Sequence, residues 1–243
     1  MQNIRVTQNL VLKLKSYLQG FVHLLYPHIC LQCASEELLD SQLICDQCEQ
    51  QLPFTHFTSI LNSPVEKVFW GRAPVQYASS ILYFTKESIV QKIIFELKYK
   101  QNKKAGYLFG KLIAQDLLSS IKFKGIHYLI PIPISKQKLR KRGYNQSRII
   151  CEAMVNYGVK ASIFDGLKKI KNTSTQTHKD RLQRGSQPNS LFILTNSATI
   201  KDKHVLIIDD VLTTGATLEA AVHCIQSAKP AMIYISTAAY TSD

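Results

Sequence analysis

From about Ala73 onward the chain alternates short apolar runs with longer segments whose apolar residues recur at helical spacing. Ser80 to Phe84 predicts a strand. Lys86 to Lys98 predicts a helix with Ile89, Ile93, Ile94 and Leu97 on one face, and Gly106 to Ile121 a second helix. His127 to Ile132 predicts a strand running into prolines, Ser147 to Val155 a helix, and Ser190 to Thr195 a short strand. Val205-Leu206-Ile207-Ile208 is an unbroken apolar run that ends in Asp209-Asp210. Thr217 to Ala228 predicts a helix and Met232 to Ala238 the last strand. Unbroken apolar strands separated by helices predict an α/β fold: a parallel sheet flanked by helices on both faces. Lys168 to Asn189 is polar and irregular and predicts a loop.

The N-terminal part is patterned differently. Leu10, Leu14, Leu18, Phe21 and Leu25 recur at helical spacing, so residues 1–26 predict an amphipathic helix. It is expected to pack on its own protein, although Lys13 and Lys15 leave a peripheral membrane contact open. No apolar run reaches the roughly 18 residues of a transmembrane helix. The start of the chain does not read as a signal peptide. Residues 27–57 are short, polar and Cys-bearing, with no room for an apolar core. The domain plan is therefore a helix over 1–26, a knuckle over 27–57 and an α/β domain over 73–243.

Composition narrows the class. The 243 residues are 45% hydrophobic and 19% charged, which excludes disorder for most of the chain. Thirty Lys+Arg against 17 Asp+Glu leave a formal charge of +13, which calls for a polyanion: nucleic acid, phosphates or an anionic surface. The excess is concentrated. Between Lys86 and Arg148 the acids are only Glu87, Glu96 and Asp116. Lys98, Lys100, Lys103, Lys104, Lys138 and Lys141, interleaved with Tyr99, Tyr107 and Tyr144, are candidates for tracking single-stranded nucleic acid and stacking its bases. A generally basic surface is the plain alternative.

Four of the six cysteines form two pairs, Cys30-x-x-Cys33 and Cys45-x-x-Cys48, separated by eleven residues. Each pair brings two thiolates to one ion, and two pairs complete a tetrahedron. Zinc is the first choice, ahead of an iron–sulfur cluster or two disulfides. A segment this small would take its stability from the metal. Cys151 and Cys224 stand alone on predicted helices and read as core residues. This cysteine usage fits a reducing, cytoplasmic location.

Past Asp209-Asp210, the stretch Thr213-Thr214-Gly215-Ala216-Thr217 opens a helix. Gly215 permits a tight turn, and free N–H groups at the helix start favour a phosphate. Asp209 and Asp210 would repel that phosphate, so they suit neighbouring hydroxyls or a magnesium ion. Sugar hydroxyls beside a 5′-phosphate describe a ribose phosphate. Upstream, Lys136 to Arg142 holds five cations in what reads as a basic loop, where Arg140 and Arg142 could fork onto a pyrophosphate.

The stretch from Val205 to Thr217 resembles the phosphoribosyl pyrophosphate (PRPP) motif of type I phosphoribosyltransferases. The resemblance implies ribose contacts from Asp209 and Asp210. It implies 5′-phosphate contacts from Thr213, Thr214, Gly215, Ala216 and Thr217, with magnesium accompanying PRPP. Thr213 stands where base-salvage members carry an Asp, which speaks against purine salvage. Pro131-x-Pro133 followed by Arg140-x-Arg142-Gly143-Tyr144-Asn145-Gln146 is similar to the pattern of the ComF family. Leu24-Leu25-Tyr26-Pro27 ahead of the first Cys pair, the helix end Lys98-Tyr99, and Thr175-Gln176, Arg181, Arg184 and Phe192 extend that likeness. Gln187 and Lys179 depart from it.

The ComF resemblance implies a phosphoribosyltransferase-like domain with an N-terminal zinc knuckle of four cysteines. Lys136, Arg140, Arg142, Gly143, Tyr144, Asn145 and Gln146 would then form a pyrophosphate-facing flexible loop. It implies a competence protein that aids entry of single-stranded DNA into the cytoplasm during natural transformation, with a helicase-like translocase as partner. The alternative is a phosphoribosyltransferase acting on a small nucleophile. No residue stands out as its general base, and the catalytic residues are left unassigned.

Overall fold

A computed structural model describes residues 28–36, 38–170 and 191–242. The amphipathic helix expected over 1–26 lies outside the described residues. So do Thr175, Gln176, Lys179, Arg181, Arg184 and Gln187. The chain divides into two compact units, 1–51 and 52–243.

In the first unit, turns around Cys30 and Cys33 lead to a short helix α1 (Asp46–Gln50) that starts directly after Cys45. Among its described residues, Cys30, Leu43, Ile44, Cys45 and Cys48 are buried. These described residues do not amount to an apolar core.

The second unit begins with helix α2 (Pro64–Lys67). Ser63 Oγ accepts from Glu66 N, Glu66 Oε2 accepts from Ser63 N, and Pro64 fills the first helical position. This capping box, worth about 1 kcal/mol, fixes where Val68, Phe69 and Arg72 are delivered. The elements that follow are β1 (Tyr77–Phe84), α3 (Ile89–Tyr99), α4 (Lys103–Ser119) and β2 (Tyr128–Pro131). Then come α5 (Lys136–Arg142), α6 (Gln146–Asn156), β3 (Ser162–Ile163), β4 (Leu167–Lys169) and β5 (Phe192–Leu194). The chain closes with β6 (His204–Leu212), α7 (Ala216–Gln226) and β7 (Met232–Thr241).

Five strands form one sheet in the order β1-β7-β6-β2-β3, with every pairing parallel. β4 and β5 make a separate antiparallel pair, Leu167 opposite Leu194. The expected parallel sheet with helices on both faces is present. Val205, Leu206, Ile207 and Ile208 are all fully buried, and successive residues serve opposite faces. Val205 and Ile207 join Leu218, Val222 and Ile225 of α7, together with Val65 and Phe69, in one cluster. Each such side chain contributes roughly 1.5–3 kcal/mol by leaving water. On the other side α4 and α6 pack together and against the sheet. Gly106 and Gly110 let these two helices approach closely. A Cβ on Gly110 would strike Ala153 Cβ and sit 2.6 Å from the Ile150 carbonyl. Cys151 lies fully buried in this layer, as expected of a core residue.

Two expectations about local structure change. The basic segment Lys136–Arg142 is helix α5, capped by Ser135 Oγ accepting from Lys138 N and ended at Gly143, not a loop. The run of cations ends in Arg140, Lys141 and Arg142, where the helix dipole favours positive charge. Strand β6 also continues past the two aspartates to Leu212, because β7 pairs with it as far as Tyr240. Asp209 and Asp210 therefore have their backbones held in the sheet.

Candidate functional site

The C-terminal ends of β2 and β6 lie side by side, Pro131 opposite Ile208 and the Ile132 amide on the Ile208 carbonyl at 2.9 Å. Asp209 and Asp210 extend just beyond. Open α/β sheets bind ligands at this end of their strands.

After Leu212, Thr213 and Thr214 are exposed and Gly215 starts α7 with φ 76°, a left-handed conformation that Gly adopts without cost. No side chain caps this helix. Its first N–H groups therefore face outward with the helix dipole, beside the hydroxyls of Thr213, Thr214 and Thr217. Gly215 is buried because α2 supports it from beneath: a Cβ there would meet Val68 Cγ1 at 2.6 Å. Arg72 braces the same turn. Its Nη1 donates to the Thr214 carbonyl and the Val68 carbonyl at 3.2 Å each, and its Nη2 meets Glu219 at 2.5 Å. The pairing neutralises an acid in the first turn of α7, where a bound anion would otherwise meet it. No local motif flags Arg72; only the fold brings it under the loop.

Asp209 is gripped from two sides. Ser147 Oγ donates to Asp209 Oδ1 at 3.1 Å, and the Asp210 N–H donates to the same oxygen at 2.9 Å. Burial above all, then the charge of Asp210, pushes the Asp209 carboxyl up to about 7, against the opposing pull of those hydrogen bonds and of Lys98. Asp210 is met by Lys98 from the end of α3, Nζ to Oδ2 at 3.0 Å. The sequence pattern places Lys98 on a nucleic-acid face. In the structure its ammonium is instead committed to the aspartate pair.

The raised pKa of Asp209 has a stability consequence. Its folded value of about 7 exceeds the ordinary value of 3.8, so the folded state holds the extra proton between these values. The contribution is fully favourable at low pH and is lost as pH rises through about 7. Asp209→Asn should therefore melt several degrees above the parent protein near pH 8. The gap should close toward pH 4, about the ordinary carboxylate value. Thermal melts across pH check this, and an equal gap at both ends would contradict it.

Asn145 and Gln146 begin α6. Asn145 Nδ2 donates to the Ile132 carbonyl at 3.0 Å while its Oδ1 caps the helix at Ser147 N. They are thereby fixed against the strand end and do not lie on an open loop. Gln146 is 1% exposed, and its Nε2 has no acceptor among the described residues. Tyr144 is not the stacking surface expected of it. It is 8% exposed, and its hydroxyl donates to the Leu97 carbonyl at 2.6 Å, tying this strap to α3.

Lys136, Lys138, Arg140 and Lys141 are exposed along α5, as are Lys100 and Lys103 on the neighbouring turn; Lys104 is half-buried. Arg142 lies over the Tyr99 ring at 5.6 Å, and Tyr99 in turn contacts Phe95 at 5.1 Å. Phe95 and Tyr99 are 48% and 60% exposed. The sequence pattern assigns Phe95 no role; its exposure beside cations is visible only in three dimensions.

In the first unit, one sulfur from each of Cys30, Cys33, Cys45 and Cys48 lies within 4.8 Å of the others, so the four could hold a metal ion. Burial resists ionisation of Cys30. Backbone N–H groups, chiefly those of Cys33, Cys45 and Gln32, nonetheless lower its thiol to about 6. Burial and the three neighbouring sulfurs push Cys48 up to about 12. Four thiols this close need a cation before all can ionise.

Residues 140–242 match the phosphoribosyl transferase domain family. A DNA utilization protein, YhgH, of Salmonella typhimurium is 23% identical over 193 residues, covering 78% of this chain and 80% of that protein. Competence protein F of Haemophilus influenzae is 29% identical over 110 residues, 44% of this chain and 47% of that protein. Competence protein ComFC of Bacillus subtilis is 31% identical over 97 residues, 40% of this chain and 37% of that protein. The last two matches thus span less than half of those proteins. The parallel sheet, the threonine–glycine turn after β6 and the domain match define a type I phosphoribosyltransferase-like protein with an added four-cysteine module. Together with these relatives, they make the chain similar to proteins of the ComF type. These relatives support a competence-related role. No helix among the described residues is long and apolar enough to cross a membrane.

Proposed function

We propose that the pocket binds PRPP, accompanied by magnesium, or a related ribose phosphate. In this reading the protein serves the handling of single-stranded DNA in natural transformation. One observation carries the pocket. An aspartate pair, held by Ser147 and Lys98, adjoins an uncapped helix start lined by threonine hydroxyls. Hydroxyl acceptors beside an anion cradle fit a ribose bearing a 5′-phosphate. The residues suit the group: Asp209 and Asp210 would take the ribose hydroxyls, and Thr213 to Thr217 the phosphate. Magnesium would neutralise the pyrophosphate charge, and Arg140 and Arg142 would assist it. Zinc would occupy the four cysteines.

The DNA part of the reading rests on exposed cations around the Phe95–Tyr99 pair. Lys100, Lys103, Lys104, Lys138 and Lys141 would follow the backbone, and the rings would stack bases. A helicase-like translocase as partner, a cytoplasmic location and contact with the inner membrane face complete the proposal. The test is genetic and needs a naturally competent host. Deleting the gene should lower transformation by orders of magnitude, and Lys100→Glu with Lys138→Glu should fail to restore it. Normal transformation in the deletion strain would overturn the competence role. Full rescue by the double variant would overturn the DNA face.

A further inference from the structure

Two neighbouring carboxylates at one site repel each other, and a sugar needs both as acceptors in fixed positions. The chain supplies one answer at each carboxylate. Asp209 Oδ1 accepts from the Ser147 hydroxyl and the Asp210 amide. Asp210 Oδ2 takes the Lys98 ammonium at 3.0 Å.

Lys98 is not a loose surface lysine that drifted there. Its side chain is 21% exposed. The residue before it, Leu97, is fully buried and its carbonyl receives the Tyr144 hydroxyl. The residue after it, Tyr99, lies under the Arg142 guanidinium. Asn102 closes the same turn, its Nδ2 donating to Glu96 Oε2 at 3.1 Å while its Oδ1 caps α4. The end of α3 is thus fastened to the strap at 142–147, and that fastening aims Lys98 at the aspartates. It also lies outside residues 140–242, the part that matches the transferase domain.

We infer that Lys98 is a positioning residue that balances the aspartate pair, so that ribose phosphates bind here without a divalent ion. The inference rests on the ribose-phosphate reading of the pocket. Above about pH 7, where both carboxylates are ionised, Lys98 leaves the pair with one net negative charge instead of two. Both carboxylates then stay oriented as acceptors for the ribose hydroxyls. Without it, a divalent cation would have to supply the missing charge.

The test is calorimetric titration of ribose 5-phosphate into the intact protein, with EDTA and separately with excess magnesium. The parent protein should bind in both. Lys98→Met should bind roughly tenfold or more weakly in EDTA and recover to within about threefold when magnesium is added. Lys98→Arg, which keeps the charge, should retain most of the binding in EDTA. Melting curves establish that each variant is folded; if Lys98→Met is not, Lys98→Gln is the substitute. Unchanged binding of Lys98→Met in EDTA would overturn the role of Lys98 while leaving the pocket standing. An equal loss with and without magnesium would also overturn it, because charge balance would not then be the cause. If the parent protein binds ribose 5-phosphate only with magnesium, divalent-free binding is refuted. If it binds in neither condition, the ribose-phosphate reading falls with it.

Discussion

Stripping the metal with a strong chelator is expected to unfold residues 28–51 and leave the α/β unit folded. Among the described residues of the first unit, burial is confined to Leu43, Ile44 and three of the cysteines. Segments below about 40 residues rarely fold on apolar burial alone. A zinc held by the four cysteines would supply that stability, an apparent 10–16 kcal/mol, roughly, at neutral pH. The thiols point the same way. With Cys48 pushed up to about 12, the metal-free cluster keeps protons that a bound cation would displace. Chelation should release about one zinc per chain. It should also collapse the amide resonances of the knuckle while those of β6 and α7 persist. Cys45→Ser with Cys48→Ser should behave like the chelated protein. A knuckle that keeps its resonances after losing metal, or that never held any, would refute the assignment.

The second large effect is expected at Gly110. Ala is the better helix former by about 1 kcal/mol, so an unconstrained Gly110→Ala change would stabilise α4. Here its Cβ would strike Ala153 Cβ and the Ile150 carbonyl, and a backbone carbonyl in α6 cannot turn aside. The helices must separate, at a cost of roughly 3 kcal/mol or more. That corresponds to a melting point lower by about 6–12 °C in a domain of this size. Because α6 carries Asn145 and Ser147, the same shift should loosen the grip on Asp209 and weaken ligand binding. Thermal melts read the first effect and titration the second. A Gly110→Ala variant as stable as its parent would show that the two helices do not approach as closely as described.

The strongest sequence signals are those with a local cause. The apolar run at Val205 to Ile208 reads as a buried strand because parallel strands are covered on both faces. The two Cys-x-x-Cys pairs read as one cluster because their spacing alone brings four sulfurs together. The threonine and glycine turn reads as an anion cradle because backbone N–H groups at a helix start behave alike wherever they occur.

What cannot be read is decided by contacts distant in sequence. Lys136 to Arg142 looks like a loop because charge density masks a short helix whose cap is Ser135. Tyr144 looks like a stacking ring because nothing local shows that its hydroxyl reaches Leu97, 47 residues earlier. Lys98 looks like one more surface cation, and Arg72 like nothing in particular. Their partners, Asp210 and Thr214, lie more than a hundred residues away along the chain. The threonine–glycine turn at a helix start is thus legible, but the side chains that brace it and pair with the neighbouring aspartates are not.

Whether the β6 aspartates and the turn after them form a ribose-phosphate pocket is decided by titrating PRPP with magnesium. The titration is run on the intact protein and on Asp209→Asn with Asp210→Asn. Saturable binding with about one site per chain is expected of the parent. Binding should be roughly a hundredfold weaker in the double variant, which stays folded but loses both charged acceptors. No binding by the parent protein, or equal binding by the two, would rule the pocket out.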